Sequence, residues 1–342
     1  MLYVTTRSDR DAFTLYRAMT TDTAPDGGQY LPRQMPQFSA EDLDAASQRS
    51  FNENIAYVLC QLYGAELTGR DIELVIGKRS AHILDLDSRT MICEIWPGSD
   101  CTFDETVNRL FRLLVHEPDL RPGQWFVISV RIALLFAVYA QLMAQGAKMP
   151  LDIALPSMDF QTPMAAWYAR SWGLPVGTII CACNENNAPW SLLHQGELRT
   201  DCAVRRTITA ACDQAVPAGL ERLISAVLGA DEVKQYLSAL DAGRLYSLEA
   251  AQRDMLRGGL SVAVISRRRL EFMIPNLYRS GCWQPDLYTA MAYAALADHR
   301  ATTGETGKAL IIAEENPLYS ADILAKLLNI PADHLRRRLE NM

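Results

Sequence analysis

The sequence predicts an α/β protein with a parallel-sheet core, and three observations carry that expectation. Leu151-Asp-Ile-Ala-Leu155 is a short buried-strand run, Pro163 to Trp172 reads as a helix, and Val176 to Cys183 is a second apolar strand. Together they form a βαβ unit, which implies parallel strands joined by a right-handed crossover. Ala309 to Ile312 supplies a further apolar strand near the end of the chain. Residues 1–88 have mostly helical patterning, so a helical N-terminal lobe is expected ahead of an α/β core over 89–342.

The elements follow in order. Tyr3-Val-Thr-Thr-Arg7 has strand chemistry, and Ala24-Pro-Asp-Gly-Gly-Gln-Tyr-Leu-Pro32 has turn chemistry. In the latter, proline pre-sets φ and Gly27 tolerates a positive φ. Ser50-Phe-Asn-Glu53 is a capping box that opens a helix with Phe51, Ile55, Val58, Leu59 and Leu62 on one stripe, closed by Gly64. Thr102-Phe-Asp-Glu105 is a second capping box, followed by Val107, Leu110, Phe111 and Leu114 on the buried face of a helix. A further helix is expected from Val130 to Met143. Its Ile132, Leu134, Leu135, Phe136, Val138 and Tyr139 cannot all face one core, so it is either an internal helix between sheet and N-terminal lobe or a surface of association.

At 342 residues the chain can bury a large core. Apolar residues at 49% and charged residues at 21% are those of an ordinary globular protein, and a net charge of -7 argues against a general nucleic-acid or anionic-membrane surface. Arg267-Arg-Arg269 and Arg336-Arg-Arg338 read as solvated helix faces. No N-terminal segment has signal-peptide character. The longest apolar run, Ile132 to Ala140, is too short to span a bilayer. The eight cysteines form no disulfide pattern, which fits a reducing cytoplasm. Cys181 and Cys183 share a strand face and read as buried core thiols. Neither they nor the five isolated histidines form a metal motif, so no metal is expected. The acids Glu94, Asp100, Asp104 and Glu105 invite a metal or acid–base reading, but the capping box and the helix dipole account for the last two.

Glu94-Ile-Trp-Pro-Gly-Ser-Asp-Cys-Thr-Phe-Asp-Glu105 resembles the active-site segment of threonine synthases, which reads roughly Glu-Leu-Phe-His-Gly-Pro-Thr-Leu-Ala-Phe-Lys-Asp. Glu94, Gly98 and Phe103 fall on the pattern. The opening strand and the Asp26-Gly-Gly turn are similar to the family's Tyr-x-Ser-Thr-Arg-Gly and Asp-Gly-Gly-Leu-Tyr-Val-Pro. Arg131 falls on the arginine of an Asn-Trp-Ala-Arg helix. Further on, Pro156-Ser-Met-Asp-Phe-Gln161, Gly173-Leu-Pro-Val-Gly177, Asn184-Glu-Asn186, Leu220-Glu-Arg-Leu223, Asp286-Leu-Tyr-Thr-Ala290 and Ala313-Glu-Glu-Asn-Pro317 follow family segments in the family's order. The resemblance implies the large domain of a fold type II pyridoxal-phosphate enzyme, and parentage in an O-phosphohomoserine lyase.

The same resemblance marks four departures. Asp104 stands on the lysine that would carry the cofactor, and a carboxylate has no amine to condense with an aldehyde. Met158 and Gln161 replace both glycines of the phosphate loop and Asp159 replaces its asparagine, adding bulk and a repulsive charge. Asp104 and Ser157 lie close in sequence, so most of the small mobile βα domain is expected to be deleted. Ala313 and Glu314 occupy a Ser-Thr turn, and Tyr288 replaces a histidine. The expected reading is a threonine-synthase-like pseudoenzyme with a binding or regulatory role, no cofactor, and no catalytic residue. The alternative is a pyridoxal-phosphate-dependent lyase with an unrecognised lysine. Arg131, Ser157 and Thr289 are the candidate remnant ligand contacts. Candidate partners are a protein, a second copy, or a small anionic metabolite.

Overall fold

The computed structural model describes residues 2–95, 102–199, 201–280 and 284–340. Gly98, Asp100, Cys101 and Cys282 lie outside them. The N-terminal part runs β1 (Tyr3–Thr5), α1 (Leu15–Thr20), β2 (Tyr30–Pro32), α2 (Ala40–Gln48), α3 (Phe51–Tyr63) and α4 (Gly69–Ile76). The helices start on side-chain caps. Ser50 and Glu53 form the reciprocal box at α3, and Gly64 ends that helix at φ 61°. A hairpin follows, β3 (His82–Asp87) and β4 (Thr90–Glu94), then α5 (Phe103–Val115) and α6 (Gln124–Ala144).

The core unit is β5 (Leu151–Pro156), α7 (Gln161–Ser171) and β6 (Val176–Cys183), matching the expected βαβ unit to within two residues at each end. Next come α8 (Ala188–Trp190), β7 (Glu197–Leu198), α9 (Gly219–Leu228), α10 (Ala230–Asp241), β8 (Tyr246–Ser247), α11 (Ala250–Arg257) and β9 (Leu260–Val264). The chain closes with α12 (Arg267–Ser280), α13 (Leu287–Thr303), β10 (Ala309–Ala313), α14 (Ala321–Leu328) and α15 (Ala332–Glu340).

Six strands form the main sheet in the order β3-β4-β10-β5-β6-β9. All neighbours are parallel except β3, which is antiparallel to β4. The sheet therefore draws its edge strand from residues before 88. One apolar core joins the sheet to α3, α6, α7 and the N-terminal elements. The other packs α12 to α15 on the opposite face. Burial on both faces explains why β5, β6 and β10 are apolar without alternation. Among the described residues no strand lies between Glu94 and Leu151; two helices fill that interval.

The structure begins α6 six residues before the expected Val130 and resolves its all-round apolarity in favour of an internal helix. It packs against α1, α2, α3, α5 and α7, with Leu134 and Leu135 each 7% exposed. Tyr139 donates to the Leu151 carbonyl, and Gln141 bonds the Ala81 backbone through both ends of its amide. By length and composition α6 as a whole could cross a bilayer, which the shorter run Ile132 to Ala140 could not; here it is a core helix.

The N-terminal part is locked to α9 through polar side chains. Glu221 accepts from Arg7 Nε at 3.1 Å and Nη2 at 3.2 Å, and from the Thr6 hydroxyl. Arg222, fully buried, donates from Nη1 to the Tyr30 carbonyl at 2.6 Å. Gln29 donates to the Ala218 carbonyl. The Asp26 carboxylate holds the turn by accepting from the Thr5 hydroxyl and the Gly28 N–H.

Candidate active-site crevice

The C-terminal ends of β4, β10, β5 and β6 set Glu94, Ala313, Pro156 and Cys183 along one edge of the sheet. β10 lies between β4 and β5, although it is the last strand in sequence. In open parallel sheets ligands bind outside such carboxyl ends, where the strand order reverses.

The loop from Ser157 to Gln161 leaves β5 and starts α7. Met158 and Phe160 have φ of 44° and 69°, so the bend that a glycine adopts freely is kept by residues with side chains. Three of its five N–H groups are already engaged. Ser157 donates to the Ala182 carbonyl at 2.7 Å, Phe160 to the Ser157 carbonyl at 2.6 Å, and Gln161 to Asp159 Oδ1 at 3.0 Å. Gly219 at the start of α9 donates to the Asp159 carbonyl, and a Cβ there would stand 2.6 Å from the Phe160 carbonyl carbon. The loop is thus clamped from behind. Burial pushes the Asp159 carboxyl up, with the Gln161 N–H and Arg131 opposing that shift.

Arg131 projects from α6 and grips Glu314, which follows β10. Nε donates to Oε1 at 3.2 Å and Nη2 to Oε2 at 3.0 Å. The guanidinium stacks on Phe103 with its carbon 4.1 Å from the ring centre. Beside this pair, Leu134, Leu135, Val138, Leu155 and Ile312 leave a cavity of only about 10 Å³. Roomier cavities of about 940, 800 and 550 Å³ lie elsewhere and are not lined by Arg131, Ser157, Asp159 or Thr289.

The candidate contacts do not converge. Arg131 is paired with Glu314. The Ser157 hydroxyl faces the Cys212 thiol, which burial pushes up to about 11. Thr289 sits in the first turn of α13, where its hydroxyl and N–H bond the buried carboxylate of Asp286. Asp104 is exposed in the first turn of α5, behind the Thr102–Glu105 capping box. Glu94 meets His82 across the hairpin at 2.6 Å. Among the described residues no group of three His, Cys, Asp or Glu side chains could hold a metal.

A pyridoxal phosphate group needs an amine and a ring of free N–H donors. All five lysines, 78, 148, 234, 308 and 326, are exposed, and none lines the cavity beside Arg131. With three of the five loop donors turned inward and Asp159 adding negative charge, the residues present do not fit the cofactor.

Sequence reasoning had picked out Arg131 and Glu314 separately but not as partners. The signal available was that a cation and a carboxylate, Arg131 and Glu314, stand in two segments that resemble crevice segments of the family. It had also not linked Arg7 to Glu221 or Tyr30 to Arg222, although all four lie in family-like segments.

Residues 2–79 match the family model for the threonine synthase N terminus. A threonine synthase of Methylobacillus glycogenes is 32% identical over 78 residues, 23% of this chain and 16% of that protein. Threonine synthase-like 1 of Homo sapiens is 23% identical over 175 residues, 49% of this chain and 23% of that protein. The matched part thus spans less than a quarter of either relative's length. In fold the likeness is wider. The PLP-bound threonine synthase from Brucella melitensis superposes with a TM-score of 0.84 at 17% identity, covering 96% of this chain and 92% of that one. In sequence the N-terminal part is thus similar to threonine synthases, and the fold of the whole is that of threonine synthase structures.

Proposed function

We propose that this protein is a threonine-synthase-like pseudoenzyme, a binding or regulatory protein that does no pyridoxal phosphate chemistry. The observation that carries the reading is the loop after β5. Three of its five N–H groups, those of Ser157, Phe160 and Gln161, have partners inside the protein, which leaves too few to close around a phosphate. Asp104 in the lysine's place and the surface position of every lysine support it. Its partner is then another protein, a second copy, or a small anionic metabolite drawn to Arg131. The six described cysteines carry free thiols, which supports a cytoplasmic setting.

The test is incubation with equimolar pyridoxal phosphate, reading the Schiff-base absorbance and then reducing with borohydride. The expected result is no stoichiometric band and no single modified lysine by peptide mass. A yellow protein that yields one stoichiometrically labelled lysine would establish the alternative, an active lyase with a rebuilt site.

A further inference from the structure

The pairing of Arg131 with Glu314 has the form of a bound ligand rather than of an ordinary surface bridge. Both oxygens are engaged by separate N–H groups, a fork geometry that a guanidinium makes with any carboxylate. The two side chains are only 14% and 8% exposed. A second polar group waits in the same cavity, because the Thr162 hydroxyl is buried there without a hydrogen-bond partner. Buried hydroxyls are rarely left so. Glu314 itself lies outside any helix or strand, between β10 and the short turn at Pro317–Ser320. It can leave without unravelling an element.

We propose that this is a self-occupied carboxylate site: Arg131 and Thr162 bind a short aliphatic monocarboxylate, and the chain's own Glu314 holds the place against it as an autoinhibitory contact. The walls decide the class of ligand. Leu134, Leu135, Val138 and Leu155 suit a small apolar tail, Arg131 is the one cation among the lining residues, and the nearby Asp159 carboxylate opposes a phosphate dianion. The inference rests on the reading that the crevice is retained for binding, but its test involves no cofactor, so the two fail separately.

Glu314→Ala removes a carboxymethyl group, leaving a hole the size of acetate beside an unpaired guanidinium. The full chain is melted in 100 mM acetate, chloride or phosphate. The expected result is that Glu314→Ala melts below the wild type and that acetate alone raises its Tm, by about 2 °C or more. The wild type, whose site is filled, and the double variant Arg131→Ala/Glu314→Ala gain nothing from acetate. Equal shifts in acetate and chloride, a larger response to phosphate, or an acetate response in the double variant would each overturn the proposal. Should Glu314→Ala not accumulate as folded protein, Glu314→Thr opens nearly the same space with a hydroxyl on the turn, and the same comparison is made with it.

Discussion

The seam between the N-terminal part and α9 and the crevice at the strand ends are built from the same kind of family-like segment, yet they have fared differently. At the seam the polar groups serve one another: Arg7 and Thr6 converge on Glu221, and Arg222 reaches the Tyr30 carbonyl. Their partners are supplied by the chain, so the fold itself requires them. At the crevice the matching segments would have faced a ligand. There the polar groups turn inward, with Glu314 on Arg131 and Asp159 on the Gln161 N–H. The contrast teaches that polar groups at the strand ends of such a scaffold, like those of its seam, can be satisfied from within.

The contrast breaks first if the seam proves dispensable. Glu221 is buried and accepts three hydrogen bonds, two of them from a guanidinium, so Glu221→Ala is expected to cost on the order of 3 kcal/mol. Urea unfolding measures it. A midpoint within experimental error of the wild type would remove the structural account of the seam.

A smaller effect sharpens the crevice side. Burial and the neighbouring Asp286 push the Glu315 carboxyl up to about 7, and its Oε2 has no hydrogen-bond partner. A carboxyl raised on folding contributes stability that is complete below its unfolded value and is lost as pH rises through its folded value. Glu315→Gln should therefore raise Tm at pH 8 and lose that advantage near pH 4. Partial exposure and solvent screening hold the gain to about 1 °C. An advantage that grew toward acid would have the wrong sign.

The parts legible in the sequence were those fixed by local patterns. The βαβ unit, the capping boxes at Ser50 and Thr102, and the strand at Ala309 each follow from periodicity or cap chemistry over a few residues. The β3–β4 hairpin was missed, its first strand lying inside the stretch 1–88 read as mostly helical. Its two runs flank Ser88-Arg89, which lacks the Asn-Gly or Asp-Gly chemistry that announces a tight turn. The start of α6 was missed because Gly123 caps it without a side-chain bond, leaving no cap residue to read. In the crevice, sequence identified which residues had changed but not what they now touch. Arg131 meets Glu314 across 183 positions, and no local rule reaches that far.

The smallest structural change gives the most direct test of the central claim, that the crevice is closed by its loop and not only by the missing lysine. Asp104 is exposed at the start of α5, so Asp104→Lys is expected to shift stability by no more than about 0.5 kcal/mol. It restores the amine while leaving Met158, Asp159 and the inward N–H groups as they are. The account predicts that this variant, mixed with equimolar pyridoxal phosphate, forms no stoichiometric Schiff base by absorbance. A stoichiometric aldimine on the introduced lysine, fixed there by borohydride, would contradict it.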